Sequence, residues 1–221
     1  MKTDDLTRED LQVLAMGLQM RISGKIGKFV FYKTYGKMHV RRRPGKRDPA
    51  ATFTEKQENN HKRFLAITRH ARSLKKTVIE PIWDKVAKLK KKSGYSLFLK
   101  TNNPAFDATG MIPDPLLLHF SAGPLNLPSS LKATVNPGNP SAIDVEWDFN
   151  NNWSGSFEDD CLMYIQYPME TIEIVNTGFR RKDQKVTLQL PLSDEKDLYL
   201  FLFFWDKHKK SYSPDQAFKI R

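Results

Sequence analysis

A chain of 221 residues with 39% hydrophobic and 11% aromatic content has enough apolar material to bury a core and is not of disordered composition. Its one cysteine, Cys161, excludes an internal disulfide and any zinc site built from several thiolates. The net charge of +11 is unevenly placed: residues 1–103 hold 25 Lys/Arg against 9 Asp/Glu and residues 104–221 hold 11 against 16, the asymmetry expected when one half faces a polyanion.

Thr7, with Asp10 three positions on, is an imperfect capping box, and Leu11, Leu14 and Leu18 then share a face, so a helix is expected over about 8–20. The apolar piece inside it is too short to span a bilayer, and "LYLFLFFW" further on is strand-sized. A soluble, cytoplasmic protein without membrane contact is the expectation. "GKIGKFVFYKTYGKMHVRRRP" reads as a β-hairpin: Phe29 to Tyr32 favour a strand, Gly36 suits the turn, Met38 to Val40 begin the return, and Pro44-Gly45 ends it.

The clearest helix follows. Thr54 with Gln57 is a full capping box, and Phe64, Ile67, Ala71, Leu74 and Val78 form one apolar stripe. Pro81 is expected to end this helix and to open the next, which carries Ile82, Trp83, Val86 and Leu89. "GYSLFLKTNN" is a third short helix or a turn. From "NNPAFDATGMIPDP" onward, Pro and Gly become frequent and short strands are expected in "LLLHFSAG", "LKATVN", "IDVEWDF", "CLMYIQYP", "TIEIVN", "KVTLQLP", "LYLFLFFWD" and "FKI". Both parities of "LYLFLFFW" are apolar, so both of its faces need covering. The expected organisation is a basic hairpin-and-helix module (1–103), a linker (104–115) and an all-β sandwich (116–221), an α+β chain overall.

The segments from "LKATVN" to "LYLFLFFWDKHKKSYSPD" resemble a fibronectin type III-like sandwich, with Trp147 at its early-strand core tryptophan and Leu190-Pro191 before Tyr199 at its corner. Over the whole chain, "SGKIGKFVFYKTYGKMHVRRRP", "TFTEKQ", "HKRF" and "SGYSLFLKTNN" are similar to an uncharacterised Bacteroidota domain family. The positions that fit are Gly24, Gly27, Gly36, Arg43, Pro44, Thr54, Gln57, Arg63 and Phe64. Asp48-Pro49 departs from its Asn-Pro, and the helix over 8–20 is additional. The resemblance implies this architecture and no activity.

Catalytic signatures are missing from the sequence. "SGKIGKF" lacks the glycine spacing and the Ser/Thr of a phosphate loop. The five histidines, His39, His61, His70, His119 and His208, show no i, i+4 metal pair, and Cys161 has no basic sequence neighbour to activate it. Glu158, Asp159 and Asp160 could hold calcium, but they lack the alternate-ligand spacing and read better as a solvated loop. The expectation is a non-enzyme with no catalytic residue, no metal and no cofactor.

The positive signal is basic. Side chains alternate along the hairpin, so Lys37, His39, Arg41 and Arg43 share one face while Met38, Val40 and Arg42 share the other. Arg41, Arg42, Arg43, Lys46 and Arg47 are the expected leading contacts. On the long helix Lys62, Arg69, Arg72 and Lys76 step along one side, and Lys85, Lys88 and Lys92 repeat this on the next. Such faces suit phosphate contacts. The expected function is non-specific binding of DNA or RNA phosphates by the N-terminal module, with the sandwich available to a protein partner. The alternative is an assembly component, of a phage-like particle or secretion apparatus, acting through protein contacts without nucleic acid.

Overall fold

The computed structural model describes residues 23–34, 36–46, 52–89, 92–128, 130–148, 159–190 and 197–221. The helix expected over 8–20, Arg47 and Glu158 lie outside them. The chain is α+β with antiparallel sheets and divides into two compact units, Met1–Phe53 and Thr54–Arg221.

The first unit holds a three-stranded meander of β1 (Gly24–Ile26), β2 (Phe29–Thr34) and β3 (Lys37–Arg42). Gly27 and Gly36 take φ of +54° and +81° at its two turns, conformations that side chains with a Cβ rarely adopt. Phe31 and Val40 are buried and pack with Phe29 and Met38.

The second unit opens with α1 (Glu55–Ser73), and its capping box forms as the sequence requires: Gln57 N–H donates to Thr54 Oγ1 (3.3 Å) and Thr54 N–H to Gln57 Oε1 (3.0 Å). Ile67, Ala71, Leu74 and Val78 are buried, whereas Phe64 is 55% exposed. The stripe reaches the core only at Ile67, so Phe64, one turn earlier, stays outside it. Pro81 does not end the helix. Lys75–Trp83 is wound as a π-helix, with Ile79 N–H reaching the Leu74 carbonyl at 3.0 Å. Proline lacks an N–H and clashes with the carbonyl four residues back in an α-helix; the wider π-turn carries the chain through it. Next come α2 (Asp84–Leu89) and α3 (Gly94–Asn102), the latter capped by Ser93.

Two antiparallel sheets follow. One has the order β4-β5-β8, from Lys132–Asn136, Asn139–Glu146 and Lys185–Gln189. The other joins β6 (Cys161–Tyr167), β7 (Val175–Arg180), β9 (Tyr199–Asp206) and β10 (Ser211–Tyr212) in the order β10-β9-β6-β7, with β11 (Gln216–Lys219) also on β9. The strand expected at 116–123 does not form. Pro115–Leu117 is a 3-10 turn; beyond it the N–H groups of His119, Phe120 and Ser121 bond to side chains, and the Leu125 N–H reaches the Tyr212 carbonyl of β10. The strand expected over "TIEIVN" starts later, at Val175, and runs to Arg180.

Strand β9 explains how the layers join. Tyr199, Phe201 and Phe203 pack on one side with Met163, Ile165 and the helical residues Ile67, Leu74, Ile82, Trp83 and Phe98. Leu200, Leu202 and Phe204 pack on the other with Ile143, Val145, Val186 and Leu188 of the three-stranded sheet and with Trp147 just beyond β5. The β6–β9 sheet therefore carries an apolar cluster on each face, one shared with the helices and one with the three-stranded sheet. The division expected at 104–115 falls inside the second unit, because the apolar stripe of α1 and the outer face of β6–β9 bury each other.

Candidate nucleic-acid interface

The hairpin face is set by its register. Tyr32 pairs with His39, Thr34 with Lys37, and Lys25, Val30 and Arg41 lie in one row across all three strands. Side chains directly opposite each other project to the same face. One face of the meander thus presents Lys25, Lys37, His39, Arg41 and Tyr32. The opposite face presents Phe31 with Val40, and Lys33 with Met38. Arg42 pairs with Phe29 on that second face and is exposed. Arg43 continues the ladder by donating its N–H to the Lys28 carbonyl at 2.6 Å.

At the centre of the basic face, the rings of Tyr32 and His39 stack with centroids 5.3 Å apart and planes inclined by 20°. Tyr32 is 40% exposed. Lys37 and Arg41 are four residues apart on β3, about 13 Å at the usual strand rise. An exposed aromatic surface between cations is the arrangement that holds single-stranded nucleic acid: bases stack while cations follow the backbone.

Sequence reasoning placed Lys37, His39 and Arg41 on this face but missed Tyr32 and Lys25. The signal was present. Gly36 at the turn fixes Thr34 opposite Lys37, and counting two residues away from the turn on each strand brings Tyr32 onto His39.

Lys46 is exposed beyond the last strand. Lys62, Arg69 and Arg72 are exposed on α1, and Lys76 on the π-helical segment, all within the second unit. The α-helical phase that aligned Lys76 with Arg72 ends at Ser73. Lys85 and Lys88 are exposed on α2, and Lys92 lies beyond that helix.

The acidic loop has a structural occupation. Asp160 forms a buried ion pair with Arg181 (Oδ2–Nε 3.1 Å), and Asp159 pairs with Arg180 at 2.8 Å and Lys182 at 3.3 Å. These cations hold the Asp159 carboxyl below the usual carboxylate range, Arg180 most strongly. Both aspartates thus anchor the 3-10 turn after β7. Cys161 is half-buried and lies 3.8 Å from the Asp159 carbonyl.

No family model, curated protein or solved structure matches the chain.

Proposed function

We propose that this is a non-enzymatic binding protein whose hairpin face contacts the phosphates of DNA or RNA, with single strands preferred. The Tyr32–His39 stack set among Lys25, Lys37 and Arg41 carries this reading. Three cations on the face add a salt-dependent term, and the stacked rings add about 1–3 kcal/mol per base. Arg43 and Lys46 extend the strip, and Lys62, Arg69, Arg72 and Lys76 offer further cations on the second unit.

The reading includes a fibronectin type III-like sandwich as the partner-facing module. The division of seven strand positions into β4-β5-β8 and β10/β11-β9-β6-β7 supports it, as does the buried Trp147, whose indole N–H donates to the Arg181 carbonyl at 2.6 Å. Membership of the Bacteroidota family belongs to the same proposal.

Fluorescence anisotropy with mixed-sequence single-stranded DNA, duplex DNA and RNA across a salt series tests it. Tyr32→Ala is expected to weaken single-strand binding roughly tenfold or more without changing the salt slope, since stacking carries no counterion. Undetectable binding at low salt, or binding without a salt slope, overturns the proposal.

A further inference from the structure

A strap of residues 118–125 crosses the second unit and is fixed from both sides. Asn102 accepts the His119 N–H at Oδ1 (2.7 Å) and donates to the His119 carbonyl from Nδ2 (2.9 Å). The buried Asp215 carboxylate accepts the N–H groups of Phe120 (2.6 Å) and Ser121 (3.3 Å) and lies 3.1 Å from His119 Nδ1. Ser121 Oγ donates to the Ser213 carbonyl at 2.6 Å. At Gly123 the strap lies against the β10 backbone so closely that a Cβ there would sit 1.9 Å from the Tyr212 carbonyl oxygen.

Two hollows flank this strap and share Val86 and Pro124 as a common ridge. One, of about 460 Å³, is walled by Trp83, Leu97, Ala122 and Pro214, with His119 and Thr101 also lining it. Because an ionised carboxylate only accepts, His119 commits its Nδ1–H to Asp215, which leaves Nε2 for another partner. The other hollow, of about 370 Å³, is ringed by Lys85 and Lys88 of α2 and by Lys209 and Lys210 of the β9–β10 turn, with Tyr212 between them.

The lysines are placed as though for a ligand. Lys85 Nζ lies 5.2 Å from the centroid of the Tyr212 ring. Lys85, Lys88 and Lys210 form no ion pair with any described residue. Asp206, the acid at the base of the turn, is buried and spends Oδ1 on the backbone N–H groups of His208 (2.8 Å) and Lys209 (3.1 Å). Lys210 adopts φ +49°, a left-handed position that glycine or asparagine fills at less cost. With Lys85 and Lys88 across the groove it concentrates positive charge, which attracts an anion.

We infer that this double hollow is a binding site for an organic phosphate, with the phosphate among the four lysines and the apolar body against Trp83, Leu97 and Ala122. The volumes fall in the range of small-ligand sites. The site lies wholly within the second unit and does not depend on the hairpin reading.

Isothermal titration of the full chain at low salt uses three probes: ADP, octyl phosphate and inorganic pyrophosphate. At least one organic phosphate is expected to bind tenfold or more tightly than pyrophosphate; the better of the two tells an aromatic body from an acyl-like one. Lys85→Glu/Lys88→Glu, at two exposed positions, is expected to weaken that ligand at least tenfold. Lys25→Ala/Arg41→Ala on the hairpin is expected to leave it unchanged while lowering oligonucleotide affinity. Equal affinity for pyrophosphate, no binding of either organic phosphate, indifference to the α2 pair, or loss in the hairpin pair would each overturn the site. Failure of oligonucleotide binding alone strikes only the hairpin proposal.

Discussion

Acidification from pH 7 to pH 5 is expected to destabilise the second unit through His70. Its ring sits among those of Phe98, Phe106, Phe120 and Tyr167, with centroids 5.9 to 6.3 Å away. Nε2 is buried and makes no hydrogen bond. Desolvation by these neighbours disfavours the imidazolium and lowers the pKa from 6.5 to about 4. The unfolded chain therefore takes up a proton as pH falls through 6.5, while the folded chain does not until about pH 4. Stability that is fully present above pH 6.5 is lost progressively down to about pH 4, about 3 kcal/mol in all and about 2 kcal/mol of it between pH 7 and 5. For a unit of this size that is roughly 4–8 °C in Tm. His119 works in the opposite direction: its hydrogen bond to Asp215 raises its pKa, so its contribution is present at low pH and fades as pH rises. The test therefore compares wild type with His70→Leu, in which the His119 contribution cancels. Urea unfolding at pH 7, 6 and 5 is expected to show the variant gaining about 2 kcal/mol relative to wild type over that range. Parallel pH profiles for the two proteins would refute the reasoning.

Other perturbations follow from equally local causes. Asp160→Asn leaves the Arg181 guanidinium, 4% exposed as a side chain, without its carboxylate and is expected to cost about 3–5 kcal/mol in urea unfolding, whereas the double replacement Asp160→Leu/Arg181→Met, which removes both charges, costs less. Thr54→Ala removes the N-cap acceptor of α1 and is expected to lower stability by about 1 kcal/mol, with faster amide exchange confined to the first turn. Gly123→Ala drives a methyl against the Tyr212 carbonyl and is expected to cost about 1–3 kcal/mol by overpacking; an unchanged unfolding midpoint would mean that the strap moves freely. Lys37→Ala/Arg41→Ala is expected to reduce the salt slope of single-strand binding by roughly 1.4, because two phosphates then keep their condensed counterions.

Local signals carried far into the fold because they act within a few residues. The Thr54–Gln57 box, the buried stripe from Ile67 to Val78 and the strands around Trp147 and Val186 all stand where pattern and propensity put them. The failures are non-local. The apolar face of α1 and the outer face of β9 were each legible as surfaces requiring cover, yet periodicity says only that a face must be buried, not which element buries it. The strap shows the same limit. Its apolar residues Leu118 and Phe120 suggested a strand, but the N–H groups of His119 and Phe120 are satisfied by Asn102 and by Asp215, a side chain nearly a hundred positions away. Pro81 failed differently: the rule that proline stops an α-helix holds, and the π-winding evades it by opening the turn.

The same distinction separates the two sites. The hairpin face is a local object, since one turn fixes the register and the register fixes which side chains share a face. Tyr32 was therefore recoverable from the sequence once Gly36 was accepted as the turn. The lysine groove is a non-local object. Lys85 and Lys88 read as one solvated helix face, and Lys209 and Lys210 as an ordinary charged turn; only the packing of α2 beside the β9–β10 edge brings the pairs together around Tyr212. Burial bears on the assembly alternative as well. The strand "LYLFLFFW" invited a partner because both of its faces are apolar, but the helices cover one and the three-stranded sheet the other. A partner, if it binds the second unit, has to be recruited by surface features such as Met111 and Phe64, 68% and 55% exposed, rather than by an unfinished core. Substituting both with serine is expected to leave the urea-unfolding midpoint nearly unchanged, because neither side chain is part of the buried stripe.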